Sequence, residues 1–284
     1  MSEFREHTVL CASPAGLHRM AYTEWGDAAN PRVLVCVHGL TRVGRDFDDL
    51  ARALAGRYRV VCPDLVGRGK SDWLADPKYY VPPQYTADMV TLIARLNVET
   101  VHWVGTSLGG IVGMALAALP KTPVTRLVLN DVGPVLKAAA LQRIAEYVGK
   151  APKFETFEQA QAYVRAVSIS FGLKTEAQWK QLAQIAVKPE GTGYRMHYDP
   201  AIAVPIGSAD AVTEDVSLWP FYDAVKCPTL ALRGAHSDLL DRATLEEMTR
   251  RGPRAQAVEI ADVGHAPMFM EDEQITIVRD FLLQ

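Results

Sequence analysis

Ser107 stands in Gly105-Thr106-Ser107-Leu108-Gly109, a G-x-S-x-G pentapeptide set between a strand-like run and a small-residue apolar segment. A serine lifted onto a sharp strand-to-helix turn can attack a carbonyl carbon. Its flanking glycines then leave room for chain packed against a strained backbone. The same glycines occur at plain strand–helix joins, so the pentapeptide needs partners. A serine hydroxyl is a weak nucleophile near neutral pH and requires a base.

Seven histidines are available. His265, in "ADVGHAPMFMED", follows the last strand-like run and precedes the final helix, on the rim where loops after parallel strands gather. His7 and His18 are N-terminal, His102 lies in the strand leading to Ser107, and His197 belongs to a central helical region. His236 is the rival base, and His38 reads as a loop-bracing hydrogen-bonder. An imidazole base needs a carboxylate to hold its tautomer. Asp238, in "LRGAHSDLLDRAT", is the first choice. Asp241 competes, although its place before "RATLEEM" suits a helix N-cap. Asp131 competes too, since it ends the strand "RLVLND" beside the serine turn. For an oxyanion, the backbone N–H of Leu40 (after His38-Gly39) and that of Leu108 at a helix start are the natural donors. "PDLVGRGKSD" is glycine-rich but lacks the spacing of a phosphate loop.

These residues must be carried by a scaffold. "RVLVCVH", "YRVVCPD", "TVHWVG" and "VTRLVLND" read as buried strands, with "GRDFDDLARALAG" and Leu108–Leu119 as helices between them. That alternation argues for a parallel sheet covered on both faces. "HTVLCAS" and "LHRMAYTEWG", joined by Pro-Ala-Gly, read as an antiparallel hairpin at one edge. From 134 to 222 the rhythm turns helical, in "AAALQRIAEYVG", "FEQAQAYVRAVS" and "EAQWKQLAQIAV". Thr156 with Gln159, and Thr175 with Gln178, fit capping boxes there. "CPTLALRG", "DRATLEEMTRRG", "AQAVEIAD" and "DEQITIVRDFLL" then resume strand, helix, strand, helix. The expected division is a core of 1–133 and 223–284 with a helical cap, 134–222, inserted in it.

His38-Gly39, "PDLVGRGKS", "GTSLGG", Asp238 and "GHAP" (Gly264–Pro267), in the order Ser…Asp…His, together resemble the α/β-hydrolase superfamily over nearly the whole chain. The resemblance implies a mostly parallel eight-stranded sheet flanked by helices, with the cap inserted after the sixth strand. It also implies a serine esterase without metal or organic cofactor, working through Ser107, Asp238 and His265 with the Leu40 and Leu108 N–H groups. Members with an aspartate nucleophile are disfavoured by Ser107, and His-Gly-Leu differs from the H-G-G-G of many lipases. The expected substrate is a small, mainly apolar carboxylic ester or lactone, hydroxyacid oligoesters included. The same three side chains in this fold also support perhydrolysis, acyl transfer or carbon–carbon bond hydrolysis, and some proteins of the fold are ligand receptors.

The 284 residues are 49% hydrophobic and 22% charged, with a formal net charge of −3. That is ordinary globular composition without the basic excess that nucleic acid or an anionic membrane attracts. No apolar run nears the roughly 18 residues of a spanning helix. "MSEFREHTVL" lacks a signal-peptide core. Cys11, Cys36, Cys62 and Cys227 stand singly, as buried reduced thiols would, and a cytoplasmic location is expected. No heptad seam marks an oligomer interface, which leaves the oligomeric state unassigned.

Overall fold

The computed structural model describes residues 4–211 and 213–284. The central sheet has eight strands: β1 (Phe4–Ser13), β2 (Gly16–Trp25), β3 (Val33–Val37), β4 (Arg59–Pro63), β5 (Val101–Thr106), β6 (Val124–Asn130), β7 (Thr229–Gly234) and β8 (Gln256–Ile260). Their spatial order is β1-β2-β4-β3-β5-β6-β7-β8. The pairings from β4 through to β8 are parallel, and β1 and β2 form the expected antiparallel hairpin at one edge.

The strands between the edges read as unbroken apolar runs because both faces are covered. In β3, Val33, Val35 and Val37 pack on one face, with Met89 and Leu92 of α2 (Pro82–Leu96) and Val112 and Leu116 of α3 (Leu108–Ala117). Leu34 and Cys36 point the other way, into a cluster with Leu50 and Leu54 of α1 (Asp48–Leu54) and Val278 and Phe281 of α9 (Asp272–Leu283). Each fully buried Val or Leu side chain contributes about 1.5–3 kcal/mol, enough in sum to fix which face each helix covers.

Between β6 and β7 lie α4 (Ala138–Tyr147), α5 (Phe157–Val167) and α6 (Glu176–Ala186), then the short α7 (Trp219–Ala224); α8 (Arg242–Met248) follows β7. Thr175 and Gln178 form a complete capping box. At α5 Thr156 caps the Gln159 N–H, but the Gln159 amide oxygen takes the Glu155 N–H instead, so that box is half made. The segment is also less helical than its sequence suggests. Lys153–Phe154, Val187–Glu190 and Gly193–Met196 form a three-stranded antiparallel sheet. Its central hairpin turns on Gly191-Thr192, a two-residue glycine turn that competes successfully with helix. Gln178 and Lys174 reach Glu271, and Gln181 reaches Asp49, so α6 and the turn before it are tied to the starts of α9 and α1.

Candidate active site

β5 delivers the chain to Ser107 through the middle of the sheet. Ser107 has φ 51° and ψ −114°, a conformation L-residues seldom adopt. It costs about 1–3 kcal/mol and persists only where neighbours hold it. The Ser107 N–H donates to Asn130 O (3.0 Å), and the Gly110 and Ile111 N–H groups donate to Ser107 O (2.9 and 3.0 Å). Close approach explains two glycines. A Cβ at Gly105 would lie 2.2 Å from Gly109 O, and one at Gly109 would lie 2.0 Å from Val37 O. α3 can therefore start directly against β3 and β5, with its N-terminus beside the serine.

His265, in the loop between β8 and α9, places Nε2 3.0 Å from Ser107 Oγ and Nδ1 2.7 Å from Asp131 Oδ2. With Nδ1 protonated, Nδ1–H donates to the carboxylate and Nε2 accepts the serine proton. This is the tautomer the hydrogen-bond network assigns. Asp131 is fully buried and sits at φ 54° just beyond β6. Its Oδ1 accepts the Gly234 N–H (2.7 Å), and its Oδ2 also accepts the Ser237 hydroxyl (2.6 Å). Three donors thus converge on one buried carboxylate.

Asp238, the carboxylate favoured from sequence, is not at this position. Its side chain is 49% exposed and pairs with Arg143 of α4 (Nε–Oδ2 2.6 Å, Nη2–Oδ1 3.0 Å). After Gly234 the chain turns so that Ser237 faces Asp131, and the next side chain points outward. The β5–β6 register pairs Thr106 with Asn130, so Ser107 and Asp131 leave the sheet side by side. That register is what sequence order could not supply, since Asp131 and Asp238 both satisfy Ser…Asp…His. Asp241 is the N-cap of α8, accepting the Thr244 N–H (2.6 Å). His236, the rival base, is exposed. His102 faces the Tyr58 hydroxyl (2.9 Å), and burial pushes it down to about 4.

The loop after β3 lies against the serine: a Cβ on Gly39 would be 3.7 Å from Ser107 Cβ. His38 braces it, as expected from sequence. Its Nδ1–H donates to Gly39 O (2.7 Å), and Nε2 accepts the Leu65 N–H (2.9 Å). Burial pushes this imidazole down to about 3, so it stays neutral. Sequence reasoning missed Arg68, a fully buried arginine within "PDLVGRGKSD". Its guanidinium donates to Leu40 O (2.8 Å), Val66 O (2.7 Å) and the Tyr85 hydroxyl (2.8 Å), locking that loop to the Leu40 loop. Leu40 lines the cavities beside Ser107, and Leu108 opens α3, where the first N–H groups have no intrahelical acceptor.

The cavity around Ser107 and His265 is roofed by Ile144, Tyr147, Val164 and Phe171 from the β6–β7 insertion. Ser170, of the same insertion, donates from Oγ to His265 O (2.8 Å) and accepts the Gly264 N–H on its carbonyl (2.6 Å). Away from these cavities, Cys11, His18 and Asp88 bring metal-ligand atoms within 4.8 Å of one another. Asp88 already accepts from His18 Nε2 (3.0 Å) and Gln84 (2.7 Å), and burial lifts the Cys11 thiol to about 12. The arrangement is that of a hydrogen-bonded cluster pinning the β1–β2 hairpin to α2.

A serine turn ending the fifth strand, a histidine loop after the eighth and an insertion after the sixth define a class. The sequence profile of the alpha/beta hydrolase family matches residues 34–276, and the chain belongs to that family. Among its relatives, a 3-hydroxybutyrate-oligomer hydrolase of Cupriavidus necator is 55% identical over 280 residues, covering 96% of each chain. A pimeloyl-[acyl-carrier protein] methyl ester esterase of Aeromonas hydrophila is 26% identical over 88% of this chain and 94% of its own. Of solved structures, an alpha/beta hydrolase from Novosphingobium aromaticivorans superimposes with a TM-score of 0.89. It is 37% identical, covering 100% of this chain and 99% of that one.

Proposed function

We propose that this chain hydrolyses the ester bonds of short 3-hydroxybutyrate oligomers through an acyl-enzyme on Ser107. The chain is a carboxylic ester hydrolase, and its small-molecule substrate class follows the whole-length relative that acts on such oligomers. The observation that carries the mechanism is the unbroken series Ser107 Oγ, His265 Nε2, His265 Nδ1, Asp131 Oδ2, with contacts of 3.0 and 2.7 Å, opening onto a cavity.

In this reading His265 takes the serine proton as Oγ bonds to the ester carbonyl carbon. The oxyanion is met by the N–H groups of Leu40 and Leu108, the second reinforced by the N-terminal end of α3. Asp131, not Asp238, holds Nδ1–H and stabilises the imidazolium. The carbon–oxygen bond to the alcohol then breaks, and that oxygen leaves with the proton from His265 Nε2. Water, deprotonated by the same nitrogen, cleaves the acyl-enzyme and frees the serine. Residues 134–222 act as the cap: α4 and α5 roof the reaction and exclude bulk water, and Ser170 steadies the histidine loop.

Among the described residues no helix is long and apolar enough to cross a membrane. Action inside the cell belongs to the same proposal, with four free cysteines suited to a reducing compartment. Incubation with 3-hydroxybutyrate dimer and trimer, with monomer release followed by mass spectrometry, tests the reading. Steady multiple turnover is expected; tight retention of the oligomer without turnover would replace the enzyme with a binding protein.

A further inference from the structure

Ser107 is shared by two cavities of different character, and only one of them contains the proton donor. The first is lined by His265, Arg42, Arg143 and Tyr147. The second is lined by Leu108, Ile111, Leu136, Leu141 and Ile206, without His265. A departing alkoxide takes its proton from His265 Nε2, so the alcohol half of the ester must lie on the histidine side. The apolar cavity is left for the acyl half.

The alcohol half of a 3-hydroxybutyrate oligomer is itself a hydroxy acid. When the acid-terminal unit leaves, two carbons separate its departing oxygen from an ionised carboxylate. The first cavity offers two cations. Arg42 is occupied: buried, it donates from Nε and Nη2 to Asp46 (2.8 and 2.6 Å). Arg143 is differently placed. It lines the cavity, its side chain is 43% exposed, and its partner Asp238 is not among the lining residues. Arg143 thus reaches the cavity wall, while the carboxylate that pairs with it does not. Nε and Nη2 serve Asp238, two of the donor nitrogens of a group with five N–H donors. Tyr147, whose hydroxyl lies beside the guanidinium, also lines the cavity. An exposed ion pair of this kind is weak and yields readily to a second carboxylate.

We propose that Arg143 binds the free carboxylate of the leaving hydroxy acid, so that the enzyme selects oligomers with an ionised acid end and releases the unit that carries it. The assignment rests on the oligoester reading above. In the step itself the Ser107 Oγ–acyl bond forms and the ester C–O bond breaks. The leaving oxygen gains the His265 proton, and the carboxylate stays ionised against Arg143 throughout.

The test compares 3-hydroxybutyrate dimer as the free acid with its neutral carboxamide, reading cleavage of the single ester by chromatography and mass spectrometry. The native enzyme favours the acid in kcat/KM. Arg143→Gln lowers the acid-to-amide ratio about 10- to 100-fold, mainly through KM. Arg143→Lys, which keeps the charge and loses the planar fork, falls between. A poorly folded fraction scales both substrates together and leaves the ratio unmoved. If Arg143→Gln has no measurable activity, the Lys variant decides in the same way. A native enzyme indifferent to the acid, or a ratio unchanged by substitution, overturns the assignment alone. Turnover of p-nitrophenyl butyrate with neither dimer cleaved removes the oligoester reading and this inference together.

Discussion

Replacing Asp131 by Asn, set beside Asp238→Asn, separates the two carboxylates that the sequence offers as partners for His265. Asn tolerates the φ of 54° found there and has nearly the same shape, so the fold is retained. The hydrogen bonds decide the rest. Oδ1 accepts the Gly234 N–H from a fixed backbone, so the amide oxygen takes that position and the NH2 replaces Oδ2. The Ser237 hydroxyl can rotate to accept, but His265 Nδ1, 2.7 Å away, then faces a donor. The imidazole must place its proton on Nε2, pointing at Ser107, and can no longer accept one. Loss of the correct tautomer in this type of site lowers kcat by about 10⁴, or roughly 5.4 kcal/mol of barrier. Asp238→Asn removes only an exposed ion pair, worth about 0–1 kcal/mol. The assay is steady-state hydrolysis of p-nitrophenyl butyrate, which carries no carboxylate, with circular dichroism to verify folding. The expected result is a fall of three to four orders of magnitude (~10³–10⁴) for Asp131→Asn, against less than about fivefold for Asp238→Asn. A collapse in Asp238→Asn with near-native Asp131→Asn would refute the reasoning.

Other outcomes follow from the packing and the buried groups. Gly109→Ala drives a Cβ to 2.0 Å from Val37 O, so the melting temperature should fall by an amount equivalent to at least about 2 kcal/mol; an unshifted transition would contradict the close approach. His38 is held neutral with its pKa near 3, below its unfolded value, so the unfolded chain binds the extra proton between the two values. Stability should be complete above about pH 6.5 and decline on acidification by up to about 1.4 kcal/mol per pH unit from this residue. Urea unfolding between pH 7 and 5 should show a shallower slope in His38→Gln; identical slopes would contradict it. Arg68→Gln should destabilise by about 2–5 kcal/mol, because it strips donors from the part-buried Leu40 carbonyl and the buried Val66 carbonyl.

The strands and the serine turn were legible because their signals are local. Apolar runs such as "VLVCV" and the small residues around Ser107 carry their meaning within a few positions. His265 was legible from its place after a strand. The carboxylate was not, because its identity depends on the Thr106–Asn130 register and on which way the chain turns after Gly234. Both are tertiary facts, and Asp131 could be named only as a rival. The small sheet in the β6–β7 insertion was missed for a related reason. Its strands are four residues or fewer, too short to show a period, and their pairing joins residues 153–154 to residues 193–196. Arg68 was overlooked because an arginine in a glycine-rich loop reads as a surface residue until Tyr80 and Tyr85 are seen to enclose it.

The central claim is that an acyl group passes through Ser107 while 3-hydroxybutyrate oligomers are hydrolysed. The most direct measurement is monomer release from the trimer by native enzyme and by Ser107→Ala at equal concentration. The account predicts a fall on the order of 10⁴–10⁶ in kcat for the variant. Full monomer release by Ser107→Ala would contradict it.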